Sequence, residues 1–417
     1  MPITRRAFVT AGGLSVVALG VGGVPTFLGR SALARVADGA GGRRRKTLVT
    51  IFQRGAMDGL AAVQPIDDPH LRRARPGLLL RADGRAPDDE RLIDLDGRFG
   101  LHPALGALAP FWRQERLAVL HGVGSPVATR SHFDAQDFME TGRPGDKRAT
   151  SGWLNRATGL LGHEATPFST VAVTPALPLA LRGDAPTLAI ADLDTFGVGA
   201  AGDVTDQTLE ALYARTSRDL LTQTGGSGLD AARALDAARL GQIAPAADYP
   251  RSPLGDSLRQ IAQLIKGDLG LEIAFAEAGG WDTHARQGAR RGTFARRAQD
   301  LADSIAAFWA DIEAYHDDVV VMTMTEFGRT VAANGTGGTD HGRASALFVL
   351  GNAAEGGRVW GEPLALAPEA LEDGRDLAVT TDFRAAFAGV AGPHLGIATD
   401  ERLFPGWSGA PLGLVRG

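Results

Sequence analysis

The sequence predicts an α/β fold with a mainly parallel central sheet flanked by helices. Apolar runs of strand length recur along the chain, and segments with helical periodicity lie between them. Several of these runs are rich in β-branched residues and show no alternation, as expected of strands that are buried on both faces. Strands that alternate with helices are typical of this fold class.

Six segments are predicted to be strands: residues 47–53, 117–122, 169–173, 271–277, 319–325 and 346–350. Helical patterns are clearest at 205–222, 252–266 and 293–316, and in the last of these Leu301, Ile305 and Phe308 recur at helical spacing. These elements predict one domain over residues 47–417. The stretch around 174–255 is rich in Ala, Pro and Gly, and it is predicted to be a helical insertion in that domain.

Residues 1–34 have the composition of an export signal. Arg5 and Arg6 precede an apolar stretch that runs to about Leu28, and residues 31–34 (Ser-Ala-Leu-Ala) have the small-residue pattern of a cleavage site. The arginine pair favours export by the twin-arginine translocase, which predicts a periplasmic or secreted mature protein. An uncleaved anchor helix is the alternative, because the stretch is long enough for the roughly 20 residues that span a bilayer.

The net charge argues against two classes of partner. It is −5 for the whole chain, and loss of Arg5, Arg6 and Arg30, with no acid, would lower it to −8. A negative protein is poorly suited to nucleic acid and, after signal cleavage, to an anionic membrane surface. The basic run at 42–46 lies in residues 35–46, which are predicted to be a solvated linker.

The chain contains no cysteine. A domain of this length can be stable in an oxidising compartment without disulfides, since its core is large enough. The absence also excludes thiolate nucleophiles and sulfur ligands, so Asp, Glu and His remain as the strong metal ligands.

Acidic and imidazole side chains follow the predicted strands where they end, or lie on the loop before the last strand. They are Asp58, Asp282, His284, Glu326, Asp340 and His341. Ligands of open α/β sheets bind at the carboxyl ends of strands. The set predicts one or two divalent ions, with Zn or Mn better suited than Mg or Ca to mixed oxygen and imidazole ligands. Taken alone, Asp58 and Asp340 could be turn residues, and a single His beside Asp is usually a surface hydrogen-bonding group.

Four motifs in fixed order resemble the exported domain-of-unknown-function family 1501. They are Arg54-Gly55-x-x-Asp58-Gly59-Leu60, Ser131-His132-Phe133-Asp134-Ala135-Gln136-Asp137, Gly280-Trp281-Asp282-Thr283-His284, and Thr325-Glu326-Phe327-Gly328-Arg329-Thr330 with Gly338-Thr339-Asp340-His341-Gly342. The likeness covers nearly the whole chain. That family is grouped with alkaline phosphatases and sulfatases, so the resemblance implies an alkaline-phosphatase-like three-layer sandwich, two metals and a Ser or Thr nucleophile.

The resemblance implies metal-ligand roles for Asp58 at one ion and for Asp282 and His284 at the other. It allows two alignments of the last motif. In one, Asp340-His341 is the adjacent Asp-His pair that normally follows a strand directly. In the other, Glu326 replaces that aspartate, and His341 joins Asp282 and His284. The second alignment respects strand order and leaves the Asp58 site poor in ligands, so one metal could be all that binds.

The nucleophile position of the superfamily falls after strand 117–122. Ser131 is the first candidate and Thr129 the second, but Ser131-x-x-Asp134 is also a helix capping box that needs no chemistry. Arg130 is a candidate anion clamp beside them. The candidate substrate-binding side chains are Arg54, His132, Arg143 and Arg329.

These features predict a metal-dependent hydrolase of a small phosphate or sulfate ester. A protein of the same fold that keeps metal for stability and serves in binding or assembly is the alternative, favoured by the uncertain serine. A phosphomutase would be compatible with the same fold, but this activity is difficult to reconcile with export. A dinucleotide enzyme is disfavoured, because no Gly-x-Gly-x-x-Gly follows the first strand.

Overall fold

The computed structural model describes residues 44–82, 87, 91–193 and 240–417. The predicted signal at 1–34, residues 35–43 of the predicted linker and the predicted helix at 205–222 lie outside the described residues. Among the described helices, none combines the length and the apolar character needed to cross a bilayer.

The described strands form two sheets. Their bounds are β1 Thr47–Gln53, β2 Val63–Pro65, β3 Ile93–Asp94, β4 Phe99–Leu101, β5 Leu117–Gly124, β6 Thr170–Ala172, β7 Leu188–Ala189, β8 Ile273–Ala278, β9 Val319–Met324, β10 Ser345–Gly351, β11 Val359–Trp360 and β12 Thr381–Asp382. The larger sheet has the order β11-β5-β10-β9-β1-β8-β6-β7, with β12 also paired to β5, and the smaller sheet has the order β2-β4-β3.

The larger sheet is mixed but mostly parallel, as the sequence predicts. β1 is parallel to β8 and β9, and β6 is parallel to β8 and β7. β10 is antiparallel to both of its neighbours, β5 and β9. Because β10 runs in the opposite direction, its first residue lies at the edge where the parallel strands have their carboxyl ends.

Helices cover both faces of this sheet. The α-helices are α1 Gly59–Ala62, α2 Pro69–Ala74, α3 Ala109–Arg113, α4 His132–Thr141, α5 Trp153–Gly159, α6 Pro253–Lys266, α7 Thr293–Asp311 and α8 Phe383–Leu395; 3-10 turns lie at Pro76–Leu78, Pro103–Leu108, Leu179–Leu181, Leu240–Gln242, Glu313–Tyr315 and Pro368–Ala370. Val49 and Ile51 of β1 share a core cluster with the apolar faces of α6 and α7. Leu48 and Phe52 share another with α5 and α8. Since alternate residues of a strand face opposite sides, the sheet is the middle of three layers.

The six predicted strands are all present, and each end lies within two residues of its predicted position. The predicted helix at 293–316 ends earlier, at Asp311, and continues as the 3-10 turn Glu313–Tyr315. Within the described part of the predicted insertion, β7 extends the main sheet beside β6.

Candidate metal centre

The carboxyl edge of the main sheet carries most of the polar residues that the sequence singles out. Asp282 and His284 follow β8, Glu326 follows β9, and His132 begins α4 after β5. His341 precedes the antiparallel strand β10, whose direction places its start at this same edge.

The connection between β9 and β10 folds back on itself as a hairpin around Arg329 and His341, and this places His341 at the centre of the edge. Arg329 and His341 form an antiparallel bridge, and the N–H of Gly342 donates to the carbonyl of Gly328 at 2.9 Å. A Cβ at Gly328 would lie 1.8 Å from the carbonyl oxygen of Ala344. Only glycine therefore allows the two arms to approach this closely.

Three imidazoles and one carboxylate converge at this point. Nε2 of His341 lies 3.0 Å from Nε2 of His132 and 2.7 Å from Nε2 of His284. Oδ1 of Asp282 lies 3.1 Å, 3.4 Å and 3.6 Å from Nε2 of His284, His341 and His132 respectively. Ligands of a tetrahedral zinc ion are separated by roughly 3.4 Å, given metal–nitrogen distances of about 2.0 Å. His132, Asp282 and His341 each offer one ligand atom, and these three atoms all lie within 4.8 Å of one another. They are therefore close enough to bind the same metal ion.

The other ring nitrogen of each histidine is held by an oxygen acceptor. The pairs are His132 Nδ1 to Glu326 Oε1 at 2.8 Å, His284 Nδ1 to Asp340 Oδ1 at 3.1 Å, and His341 Nδ1 to the carbonyl of Arg130 at 2.8 Å. An oxygen acceptor fixes the proton on Nδ1 and leaves the Nε2 lone pair free. This is the arrangement that proteins use to orient histidine ligands.

The electrostatics of the cluster suit a cation. With their protons on Nδ1, the Nε2 atoms of His132 and His284 would each face Nε2 of His341 with a lone pair, and a positive ion between them would remove this repulsion. Burial lowers the pKa of His341, and neighbouring positive charges lower it further. The hydrogen bond to the Arg130 carbonyl acts in the opposite direction but is outweighed. The hydrogen bond to Glu326 is the main cause that raises the pKa of His132.

Arg329 forms hydrogen bonds that link the Asp282 carboxylate to the surrounding loops. Its Nη2 donates to Oδ1 of Asp282 at 2.5 Å and to the carbonyls of Gly55 and Trp281, both at 3.1 Å, while its Nε donates to the carbonyl of Ala56 at 2.9 Å. Burial acts to raise the pKa of Asp282, but the hydrogen bond and charge of Arg329 outweigh it and lower the pKa. Asp282 is therefore ionised and fixed in place.

Glu326 is a buried hydrogen-bond acceptor next to the cluster. Its Oε1 accepts from His132, from Nε2 of Gln136 at 2.9 Å and from the N–H of Gly55 at 2.9 Å. Burial acts to raise the pKa of this carboxyl, and these hydrogen bonds outweigh it, so the pKa is lowered. The Phe327 ring packs 4.9 Å from the His132 ring and 5.0 Å from the His341 ring.

Asp58 has partners outside the cluster. Its carboxylate forms a buried ion pair with Nη1 of Arg75 at 2.8 Å and accepts from Nε2 of Gln287 at 2.7 Å. It also caps α1 by accepting from the N–H of Ala61 at 3.2 Å. Of the six ligands expected from the sequence, Asp282, His284 and His341 place an Oδ1 or Nε2 atom in the cluster. Glu326 and Asp340 orient imidazoles, and Asp58 holds Arg75.

The two candidate nucleophiles lie in the turn before His132. Ser131 is the N-cap of α4, and its hydroxyl accepts from the N–H of Asp134 at 3.4 Å. Thr129 Oγ1 accepts from the N–H of Ser131 at 3.2 Å. The capping function that the sequence allows for Ser131 is therefore present in the structure.

The candidate anion-binding arginines all have carboxylate partners. Arg54 pairs with Glu140 and Glu277, Arg130 with Asp373 and Asp376, Arg143 with Asp146, and Arg329 with Asp282. Each of these charges is balanced, so an anionic ligand at the cluster would compete with resident acids.

The sequence predicts a substrate-binding role for His132. In the structure its Nε2 lies in the cluster, 3.0 Å from Nε2 of His341. The available signal was its position at the start of α4, directly after a strand of the same edge. The cluster is open on one side, since the side chains of Asp282 and His284 are 46% and 43% exposed.

Fold and cluster together define an α/β protein with a candidate metal centre at the carboxyl edge of its sheet. The family model described as "Protein of unknown function (DUF1501)" matches residues 97–403, and the chain belongs to this family. No curated protein matches the chain.

Two solved structures are distantly similar to the chain. One, described as Ps i-CgsB in complex with k-i-k-neocarrahexaose, has a TM-score of 0.40 and 9% identity, over 86% of this chain and 74% of that one. The other, the PsFucS1 sulfatase from Pseudoalteromonas sp., has a TM-score of 0.32 and 13% identity, over 80% of this chain and 68% of that one.

Proposed function

We propose that the protein is a metal-dependent hydrolase of a phosphate or sulfate ester, with Zn or Mn held by His132, Asp282, His284 and His341. The observation that carries this proposal is the convergence of three Nε2 atoms and one carboxylate oxygen, with every Nδ1 already bonded to an oxygen. Structural zinc sites are closed, whereas this cluster reaches solvent through Asp282 and His284. Solvent access supports a role with a substrate.

A bound metal would supply positive charge that polarises the ester oxygens and lowers the pKa of the nucleophile. The chain would supply the rest. Ser131, next to His132, is the candidate nucleophile, with Thr129 second. The 3.4 Å bond to its hydroxyl oxygen is long and uses the oxygen only as an acceptor, so the hydroxyl proton stays available for transfer.

We also propose that the protein is exported by the twin-arginine translocase and works in the periplasm or outside the cell. Arg5 and Arg6 with the following apolar stretch support this route. His132 and His341, 209 positions apart, meet only in the folded chain, and this route carries folded proteins. Replacement of both arginines by lysine should retain the protein in the cytoplasm, and unchanged export by fractionation would contradict the proposal.

The hydrolase is tested by metal analysis and by turnover of a panel of phosphate and sulfate esters. Asp282→Ala and His341→Ala should each lose bound metal and activity. His163→Ala is a matched control, because its imidazole contacts Glu272 just before β8, away from the carboxyl edge. Turnover of no ester by fully metal-loaded protein would reject the proposal.

A metal-stabilised binding or assembly protein is the second candidate. The observation in its favour is that the arginines near the cluster are balanced by acids, while Ser131 already caps α4. Ser131→Ala and Thr129→Ala separate the two functions. Unchanged activity in the cell with both variants, together with lower stability of His341→Ala, would favour the second candidate.

A further inference from the structure

An open cavity of about 580 Å³ lies between the turn after α2 and the loops that follow β8 and β9. Its wall includes Pro76, Leu78, Arg286, Arg291, Asn334 and Thr336. Asn334 connects the cavity to the cluster, because its Nδ2 donates at 3.0 Å to Asp340, the acceptor of His284 Nδ1. The volume is within the range of small-molecule sites, roughly 300–1,000 Å³.

The two arginines of this wall differ from those at the cluster. Arg286 and Arg291 are exposed, and within residues 44–82, 91–193 and 240–417 neither guanidinium has an ion-pair partner. Among the described residues that line the cavity, none is acidic. Arg54 and Arg130, by contrast, each contact two carboxylates. The described wall of the cavity therefore carries two guanidinium groups and no carboxylate.

The backbone holds both arginines on one tight loop. Arg286 has φ 51°, and a Cβ at Gly288 would lie 1.9 Å from the carbonyl oxygen of Arg291. The N–H of Phe294, in the first turn of α7, already donates to the carbonyl of Gln287 at 3.2 Å. The positive character of the cavity therefore comes from the guanidinium groups rather than from the helix end.

We propose that this cavity binds a second anionic group of the substrate, a carboxylate, sulfate or phosphate, while the ester itself lies at the metal cluster. The inference rests on the proposed hydrolase function. Guanidinium groups bind oxyanions through paired, charge-assisted hydrogen bonds. Pro76 and Leu78 offer apolar contact to the part of the substrate between the two anions. The substrate class is thus an ester with at least two anionic groups.

Binding of inorganic sulfate and phosphate, measured by calorimetry, tests the cavity without any turnover. In His341→Ala protein, whose cluster is incomplete, both ions still bind. Arg286→Gln or Arg291→Gln in that background weakens binding about 10-fold. Arg296→Gln is the matched control, since Arg296 lies on the first turn of α7 and does not line the cavity. Equal affinity in all of these variants, or no binding at all, overturns the proposal.

Kinetics then connect the cavity to the substrate. For an ester with two anionic groups, Arg286→Gln and Arg291→Gln raise KM about 10-fold and leave kcat unchanged, whereas KM for an ester with one anionic group stays the same. An unchanged KM for both esters rejects a substrate role for the cavity. If no ester is turned over, the hydrolase function fails, and calorimetry still decides whether the cavity binds anions.

Discussion

Nδ1 of His132 lies 2.8 Å from Oε1 of Glu326, although 194 positions separate the two residues. The carboxylate is buried and also accepts from Gln136 and Gly55. Because Glu326 is itself held in place, it fixes both the tautomer and the ring orientation of His132. A change at Glu326 should therefore alter the proposed metal site without removing any of its proposed ligand atoms.

Glu326→Gln should weaken metal affinity about 10-fold, because the amide oxygen still accepts from Nδ1 but no longer carries the negative charge that strengthens His132 as a ligand. Competition with a chelator measures the effect. Glu272→Gln, at a carboxylate beside the start of β8 that contacts His163 and Arg45, should leave the affinity unchanged. An equal affinity in Glu326→Gln and wild type would show that the charge has no influence on the metal.

Metal affinity should fall as the pH drops through the raised pKa of His132. The hydrogen bond to Glu326 is the main cause of that rise, and a protonated ring cannot bind metal, so affinity should fall about 10-fold for each pH unit below the pKa. The stability of the metal-free fold should depend on pH in the opposite direction. Protonated His132 stabilises the fold below its usual pKa of 6.5, and this stability is lost as the pH rises through the raised value.

Chelator competition between about pH 5.5 and about pH 8 measures this dependence. The fall should move to lower pH in Glu326→Gln, because the variant loses both the hydrogen bond to a charged acceptor and the negative charge that raise the pKa of His132. A pH dependence identical to that of wild type would contradict this assignment.

Asp58→Asn should destabilise the fold by about 3 kcal/mol, because Arg75 would keep a buried charge with no ionised partner. The metal content should stay at the wild-type value, since Asp58 contacts Arg75 and Gln287 in the structure. Urea unfolding and metal analysis on the same sample test both parts. Loss of metal with unchanged stability would instead identify Asp58 as the ligand that the sequence motif suggests.

His121 should make the protein sensitive to acid. Its Nε2 donates to the carbonyl of Val63 at 3.0 Å, and burial lowers its pKa to about 4 from the usual 6.5. The unfolded chain binds this proton more readily, so stability should fall by about 3 kcal/mol between pH 6.5 and pH 4. His394, whose pKa is also lowered to about 4 by burial, adds a similar loss.

His121→Asn should remove one of these two contributions. The variant should be less stable than wild type at neutral pH, since packing is lost, yet its stability should change less between about pH 7 and about pH 4.5. Urea titrations at both values measure the difference. Equal changes in variant and wild type would mean that His121 does not cause the acid sensitivity.

The strands, and the edge of the sheet at which the polar residues gather, could be predicted from the sequence. Flat, β-branched apolar runs gave the strand positions, since strands buried on both faces tolerate few polar residues. Residues that follow parallel strands lie at one edge of the sheet, and this predicts that Asp282 and His284 lie at the same edge as Asp58. The antiparallel direction of β10 could not be predicted, because a short apolar run has no directional signal.

The partners of individual side chains were not predictable. Asp58 and Asp282 both follow strands of the same edge, yet Asp58 meets the buried Arg75 and Asp282 meets the histidines. Arg75 lies on the segment after α2, and no spacing relates it to Asp58. The orientation of the His132 ring likewise depends on Glu326, whose proximity arises only from the packing of α4 against the end of β9.

The buried Arg329 joins loops that follow or precede four different strands. It contacts Gly55 and Ala56 after β1, Asp282 after β8 and Thr339 before β10, and it lies itself after β9. None of these loops can swing outward alone, because each would have to break its bond to the same guanidinium. Displacement of any one of these loops should therefore be cooperative, because it requires concerted local unfolding of the whole rim rather than the motion of one side chain.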